Sequence, residues 1–176
     1  MLSAINIHLR PCKMTGKLMN ITIRQARPED ASAIYNMIYE LAVYEKAPEE
    51  VVTTPDEIRE TLFGDSSKTE ALVCEIEGKT VGYAVFFTSY STWLGRNGIY
   101  MEDLYISPEY RGKGAGSALL KKIAQYAVER RCGRLEWSVL DWNQPAIDFY
   151  LSIGALPQTE WVRYRLDGEA LVNFAK

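Results

Sequence analysis

Residues 111–117 read Arg111-Gly112-Lys113-Gly114-Ala115-Gly116-Ser117, three glycines within five positions beside two cations. Upstream stands the apolar run Ile99-Tyr100-Met101-Glu102-Asp103-Leu104-Tyr105-Ile106. Downstream, Leu119, Leu120, Ile123, Ala124 and Ala127 recur on one helical face. The spacing predicts a strand over 99–106, a tight turn, and a helix over 117–131. Glycines let a chain curl tightly and let backbone N–H groups approach a ligand without interference from a Cβ. A helix start adds unsatisfied N–H donors and partial positive charge, and Arg111 and Lys113 add full charges. The combination suits a diphosphate. A turn serving structure alone needs less glycine and no cations.

Two better-known glycine motifs do not fit. A Walker loop requires Lys and then Ser or Thr after its last glycine. The Rossmann fingerprint would put Gly or Ala where Ser117 stands, on an early strand.

Working outward, Ile21-Thr22-Ile23-Arg24-Gln25-Ala26 alternates as a strand. Pro28-Glu29-Asp30 opens a helix whose apolar positions Ile34, Met37, Ile38, Leu41 and Ala42 keep helical spacing until Pro48. A short helix follows Thr54-Pro55. Residues 71–76 and 81–87 form a hairpin about Glu77-Gly78-Lys79. After the 117–131 helix come a strand over 135–140, a helix over 144–152 and a strand over 161–166. The order β-α-α-β-β-β-α-β-α-β is α+β, a mixed sheet with helices.

The chain has 176 residues with net charge -3, enough for one compact domain and without the basic balance of a nucleic-acid or anionic-membrane binder. No apolar run approaches the ~20 residues of a membrane span. Residues 1–19 carry Arg10, Lys13 and Lys17 and no acid, and read as a disordered extension before a domain over 20–176. The single histidine, His8, falls in that extension. The domain is thus expected to lack Ser-His-Asp and Cys-His machinery, leaving carboxylate, tyrosine, lysine, cysteine or water for acid–base work. Cys12, Cys74 and Cys132 show no CxxC spacing, so neither a disulfide framework nor a thiolate metal site is indicated. Reduced thiols fit a cytoplasmic protein.

Glu102-Asp103 interrupts an otherwise apolar strand. Alternation sends neighbours to opposite faces, so at most one enters a cleft unless the strand bulges. The residues alone allow a functional carboxylate or a salt-bridged edge strand. Tyr150 lies about two helical turns beyond Asn143, on the same face, where a tyrosine can serve as core amphiphile or as acid.

The spacing Arg111-x-x-Gly114-x-Gly116 resembles the acyl-CoA diphosphate motif of the GNAT acetyltransferase superfamily. Tyr90-Ser91-Thr92-Trp93-Leu94-Gly95-Arg96, the run 99–106, Pro108 to Gly116, and Leu140-Asp141-Trp142-Asn143-Gln144 on to Tyr150 are similar to the diamine (spermidine/spermine) and thialysine acetyltransferases. Ser91-Thr92-Trp93 and Leu140 to Gln144 resemble the thialysine branch more closely.

This resemblance implies the GNAT acyl-CoA N-acyltransferase fold, with acetyl-CoA as co-substrate, no metal, a small-molecule primary amine as acceptor, and a homodimer. It gives Glu102 the role of base and amine anchor, with Asp103 beside it, and Tyr150 that of general acid toward the CoA thiolate. Backbone N–H groups of Leu104, Tyr105 and Ile106 would meet the oxyanion. Arg111, Gly112, Lys113, Gly114, Ala115, Gly116, Ser117 and Asn143 would hold the cofactor. Tyr44, Glu45, Trp93 and Glu160 would contact the amine. The chemistry is coherent: near pH 7.4 only about one alkylamine in a thousand is unprotonated, and a carboxylate can hold the cation and accept its proton directly or through water. Lys46 or Arg96 would meet the carboxylate of an amino-acid acceptor. Acetylation of protein or peptide amines, or acetyl-CoA binding without catalysis, are the alternative readings.

Overall fold

The computed structural model describes residues 20–176 and, before them, two paired two-residue strands, Lys13–Met14 and Lys17–Leu18. The disorder expected over residues 1–19, and His8, otherwise lie outside the described residues. The chain forms two compact units, Met1–Ser138 and Val139–Lys176.

The first unit carries a five-stranded sheet in sequential order: β1 (Ile21–Gln25), β2 (Thr69–Ile76), β3 (Lys79–Ser91), β4 (Arg96–Ile106) and β5 (Leu135–Trp137). All neighbours are antiparallel except β4 and β5, which run parallel. The mixed α+β sheet expected from sequence is present. Glu77 and Gly78, at φ 52° and 79°, make the β2–β3 turn, a pair of left-handed residues that matches strand twist.

Period-2 alternation divides the core. On one face Val73, Tyr83, Val85 and Tyr105 pack with Ile34 and Met37 of α1 (Ala31–Tyr44) and Ile58 of α2 (Pro55–Phe63). Alternation turns Leu72, Ala84 and Phe86 to the other face, where the Phe86 ring stands 6.0 Å from Tyr126 of α3 (Ala115–Glu129). Each such large apolar side chain contributes roughly 1.5–3 kcal/mol on burial. Cys74 is fully buried, and burial pushes its thiol up to about 12.

Local chemistry sets the helix ends. Thr54 and Glu57 cap α2 reciprocally, with Pro55 in the first turn. α1 ends as Lys46 N–H donates to Val43 O at 3.2 Å and Ala47 N–H to Ala42 O at 2.9 Å. Lys46 takes the left-handed conformation there, φ 63°, where glycine is usual. Helix α3 begins two residues before the expected Ser117, so Ala115 and Gly116 lie in its first turn. Strands β3 and β4 extend beyond the expected 81–87 and 99–106 into a long hairpin, and β5 stops short of Leu140.

The second unit holds α4 (Gln144–Ser152) and a helix not expected from the sequence, α5 (Gly168–Phe174), preceded by Asp167. The strand expected over 161–166 is not formed. A strand needs a neighbour for its backbone groups, and this unit contains no strand among the described residues. Trp161, Val162 and Tyr164 are exposed there.

Asp30 locks the start of α1 to β1. It is buried, its carboxylate accepts from Arg24 Nη1 at 2.7 Å and Nη2 at 2.8 Å, and the Arg27 backbone N–H donates to it at 2.7 Å. Arg24, bonded to Asp30, holds that carboxyl below its ordinary range despite burial. A lowered folded-state pKa gives stability that is present above the unfolded value, about 3.9, and lost as pH falls below it. Asp30→Asn is expected to lower unfolding free energy by about 2 kcal/mol at pH 7. That deficit should narrow below about pH 4, as urea unfolding at pH 7 and pH 3 will show.

Candidate active site

The sheet is irregular where the acids sit. Val85 of β3 pairs with Asp103 and Phe86 with Met101, which leaves Glu102 as an extra residue in β4. A bulge of this kind bends a strand and re-aims its side chains. Glu102 is exposed and Asp103 half-buried, so the bulge answers the geometric problem that alternation posed. The parallel pairing to β5 ends at Met101 opposite Trp137. From Glu102 to Ile106, β4 pairs only with β3 among the described residues, and Leu104, Tyr105 and Ile106 follow on that stretch.

Asp103 lies on the α1 face. Tyr83 Oη, on a fully buried side chain, donates to Asp103 Oδ2 at 3.1 Å. Burial raises the Asp103 carboxyl, and the neighbouring Glu102 adds to the rise, while the Tyr83 hydrogen bond opposes it. Exposed Glu45, which caps the C-terminal end of α1, is raised by partial desolvation and by the charge of Asp103. The Asp103 charge thus disfavours ionisation of Glu45 across the end of α1, an environment that a cation would relieve. Among the described residues, no group of three or more His, Cys, Asp or Glu is placed to hold a metal.

The glycine turn adopts the conformations its sequence permits. Gly112 and Gly114 have φ 71° and 86°, and nothing lies within 4 Å of where a Cβ would project. Gly114 is the N-cap of α3 and offers no side chain to the first-turn N–H groups. Gly116 packs α3 onto β4, its Cβ position 3.7 Å from Leu104 Cδ2. Ala115 is buried and Ser117 exposed. This open backbone hollow fits a diphosphate.

Both cations of the turn engage their own surroundings. Arg111 Nε donates to Ile106 O at 2.8 Å, and its guanidinium lies 5.0 Å from the Tyr44 ring centroid and 5.2 Å from that of Tyr105. Lys113 Nζ donates to Glu109 O at 2.6 Å and lies 5.2 Å from the Tyr110 ring. Ser107 Oγ donates to Glu40 Oε2 at 3.0 Å. The structure therefore brings Tyr44, Tyr105 and Arg111 together, and Glu45 near Asp103. Trp93 is not brought to this cluster. It is 88% exposed in the β3–β4 turn, beyond the end of β4 that lies seven residues before Asp103, roughly 23 Å along the strand.

In the second unit, Asn143 is the N-cap of α4 without a side-chain capping bond, and Glu160 is exposed. Tyr150 is half-buried on α4, its ring 5.6 Å from Phe149, and desolvation raises its phenol. The sequence reading overlooked Tyr83 and Glu40. A phenol within the apolar run Val81 to Phe87 needs a polar partner once buried, and that is the signal which points to Tyr83.

The mixed sheet, the strand–glycine turn–helix step and the open backbone hollow define an acyltransferase. The chain belongs to the Acetyltransferase (GNAT) family, whose profile matches residues 24–155. It is 40% identical to a thialysine N-epsilon-acetyltransferase of Sus scrofa, covering 90% of this chain and 99% of that one. It is 30% identical to an L-ornithine N5-acetyltransferase of Arabidopsis thaliana, covering 89% of each. The solved integron cassette protein of V. cholerae matches with TM-score 0.75 and 26% identity, over 89% of this chain and 98% of the other.

Arg111 should behave as a structural strut as well as a charge. Arg111→Lys loses the planar stacking and the Nε bond, and is expected to cost about 1 kcal/mol of stability without any ligand. Thermal melting of the ligand-free protein measures it, and an unchanged Tm would show that the stacking carries no stability.

Proposed function

We propose that the protein transfers the acetyl group of acetyl-CoA to the side-chain primary amine of a small amino acid of the thialysine type, or of a diamine, by direct attack. The observation that carries this reading is the bulge in β4, which leaves Glu102 exposed while Asp103 stays on the α1 face and accepts from Tyr83. Such a site favours a cation and then needs to remove its proton. The names of the relatives support the substrate class, since thialysine and L-ornithine both carry an amine at the end of an amino-acid side chain.

Acetyl-CoA supplies a thioester carbonyl and a thiolate leaving group. The open hollow at Gly112 and Gly114, with the first turn of α3, holds the diphosphate. Glu102 takes a proton from the bound ammonium, directly or through water, and the neutral amine then attacks the thioester carbonyl. Backbone N–H groups of residues 104–106 meet the charge that develops on the acyl oxygen. Tyr150, kept protonated by its desolvated setting, returns a proton to the departing sulfur. Tyr44 and Glu45 form a wall of the amine site, and Lys46, next to Glu45, is our candidate for an acceptor's carboxylate. A cytoplasmic homodimer is part of the same reading, and sedimentation of the purified protein tests the assembly.

The deciding experiment is release of free CoA thiol with spermidine, spermine, thialysine, lysine and a short peptide bearing a free N-terminus. Thialysine is expected to be turned over with the highest kcat/KM. Acetyl-CoA binding without thiol release in any arm would replace the enzyme by a binding module, and turnover of the peptide alone would move the substrate class to proteins.

Tyr150→Phe separates the acid from the binding surface. It should lower kcat by about 100-fold while leaving acetyl-CoA affinity within about two-fold by calorimetry. Unchanged turnover would remove the phenol from the reaction.

A further inference from the structure

The buried phenol of Tyr83 has no part in the chemistry above, yet it donates a hydrogen bond to Asp103. We propose that Tyr83 is a positioning residue whose O–H holds the Asp103 carboxylate toward Glu45 as the anchor for the incoming ammonium, leaving Glu102 on the bulge to take the proton. The inference rests on the proposed amine-acetylating function.

Backbone register establishes the arrangement. Tyr83 pairs directly with Tyr105, and Val85 with Asp103, so Tyr83 and Asp103 are diagonal neighbours on the face covered by α1. The bulge lies on the Met101 side of Asp103, so the Tyr83–Asp103 diagonal is set by regular ladder and Glu102 falls outside it. A fully buried tyrosine ring cannot swing away from its partner without repacking the core of α1 and the sheet. Asp103 is therefore oriented by a rigid donor, whereas Glu102 is exposed. Rigidity suits an anchor, and access to water suits a base.

The groups that bear on this pair come from three elements. Glu102 and Tyr105 stand on β4, Glu45 at the end of α1, and Tyr105 in turn meets Glu40 of α1 and Arg111 of the turn. Burial and the negative Glu102 disfavour the Asp103 carboxylate, its charge bears on Glu45, and the Tyr83 donor opposes the rise. Without the donor, the carboxylate would take a proton at higher pH.

The test is Tyr83→Phe, which removes one oxygen and keeps the ring. Asp103 is followed by ¹³C NMR titration of its carboxyl, assigned with Asp103→Asn, a readout that requires no turnover. In parallel, kcat and KM for thialysine are measured from pH 6 to pH 9. Asp103 should titrate at higher pH in Tyr83→Phe than in the wild type. KM for thialysine should rise about ten-fold, with kcat at saturation within about two-fold. Within an Asp103→Asn background, Tyr83→Phe should have no further effect on KM. An Asp103 carboxyl that titrates identically in both proteins overturns the proposal, as does a fall in kcat with KM unchanged. Asp103→Asn by itself must also raise thialysine KM, and a wild-type KM in that variant overturns the proposal even if Tyr83→Phe fails to fold. Absence of thiol release by the wild type with every amine would instead refute the proposed function, and the NMR titration would still decide the orientation of Asp103.

Discussion

One additional residue in β4 determines what the α1 face of the sheet presents. Without it, Glu102 and Asp103 would alternate strictly, and one of them would point among the apolar side chains beneath α3. With it, Met101 keeps its place opposite Phe86, Asp103 keeps its place opposite Val85, and Glu102 is released to solvent. The ladder on either side remains regular because β3 is long and buried. The bulge is therefore accommodated by the same apolar packing that it would otherwise disturb.

The neighbouring turn shows a related division between backbone and side chain. Arg111 is clasped by Tyr44, Tyr105 and the carbonyl of Ile106, which ties the entry of the glycine turn to α1 and β4. What faces outward at Gly112 and Gly114 is main chain. A ligand there would be recognised chiefly by N–H dipoles fixed in place by a stacked cation, and this favours shape and charge together.

Much of this was legible in the residues. The strands at 21–26, 71–76 and 99–106, the hairpin at Glu77-Gly78 and both flanking helices follow from period, glycine and proline signals. Ends were less legible. Polar Thr88, Ser89 and Ser91 hid the extension of β3, since a hairpin arm that leaves the core no longer needs apolar alternation. The segment 161–166 has strand composition but no neighbour in its own unit, and propensity cannot supply one. The side-chain constellation was the hardest to read. The bulge is a matter of register between two strands, and Tyr83 finds Asp103 only through that register, so neither is visible in either strand alone.

The anionic wall formed by Glu45 and Asp103 also has a consequence at the bench. If Glu45 and Asp103 hold the acceptor's ammonium as proposed, any small primary ammonium ion that reaches them relieves the same unfavourable charge, whether or not its nitrogen can react. Buffers built on primary amines, at tens of millimolar, would occupy the wall and compress differences among candidate acceptors. Rankings obtained in phosphate or in zwitterionic buffers without primary amines would reflect the protein's own discrimination.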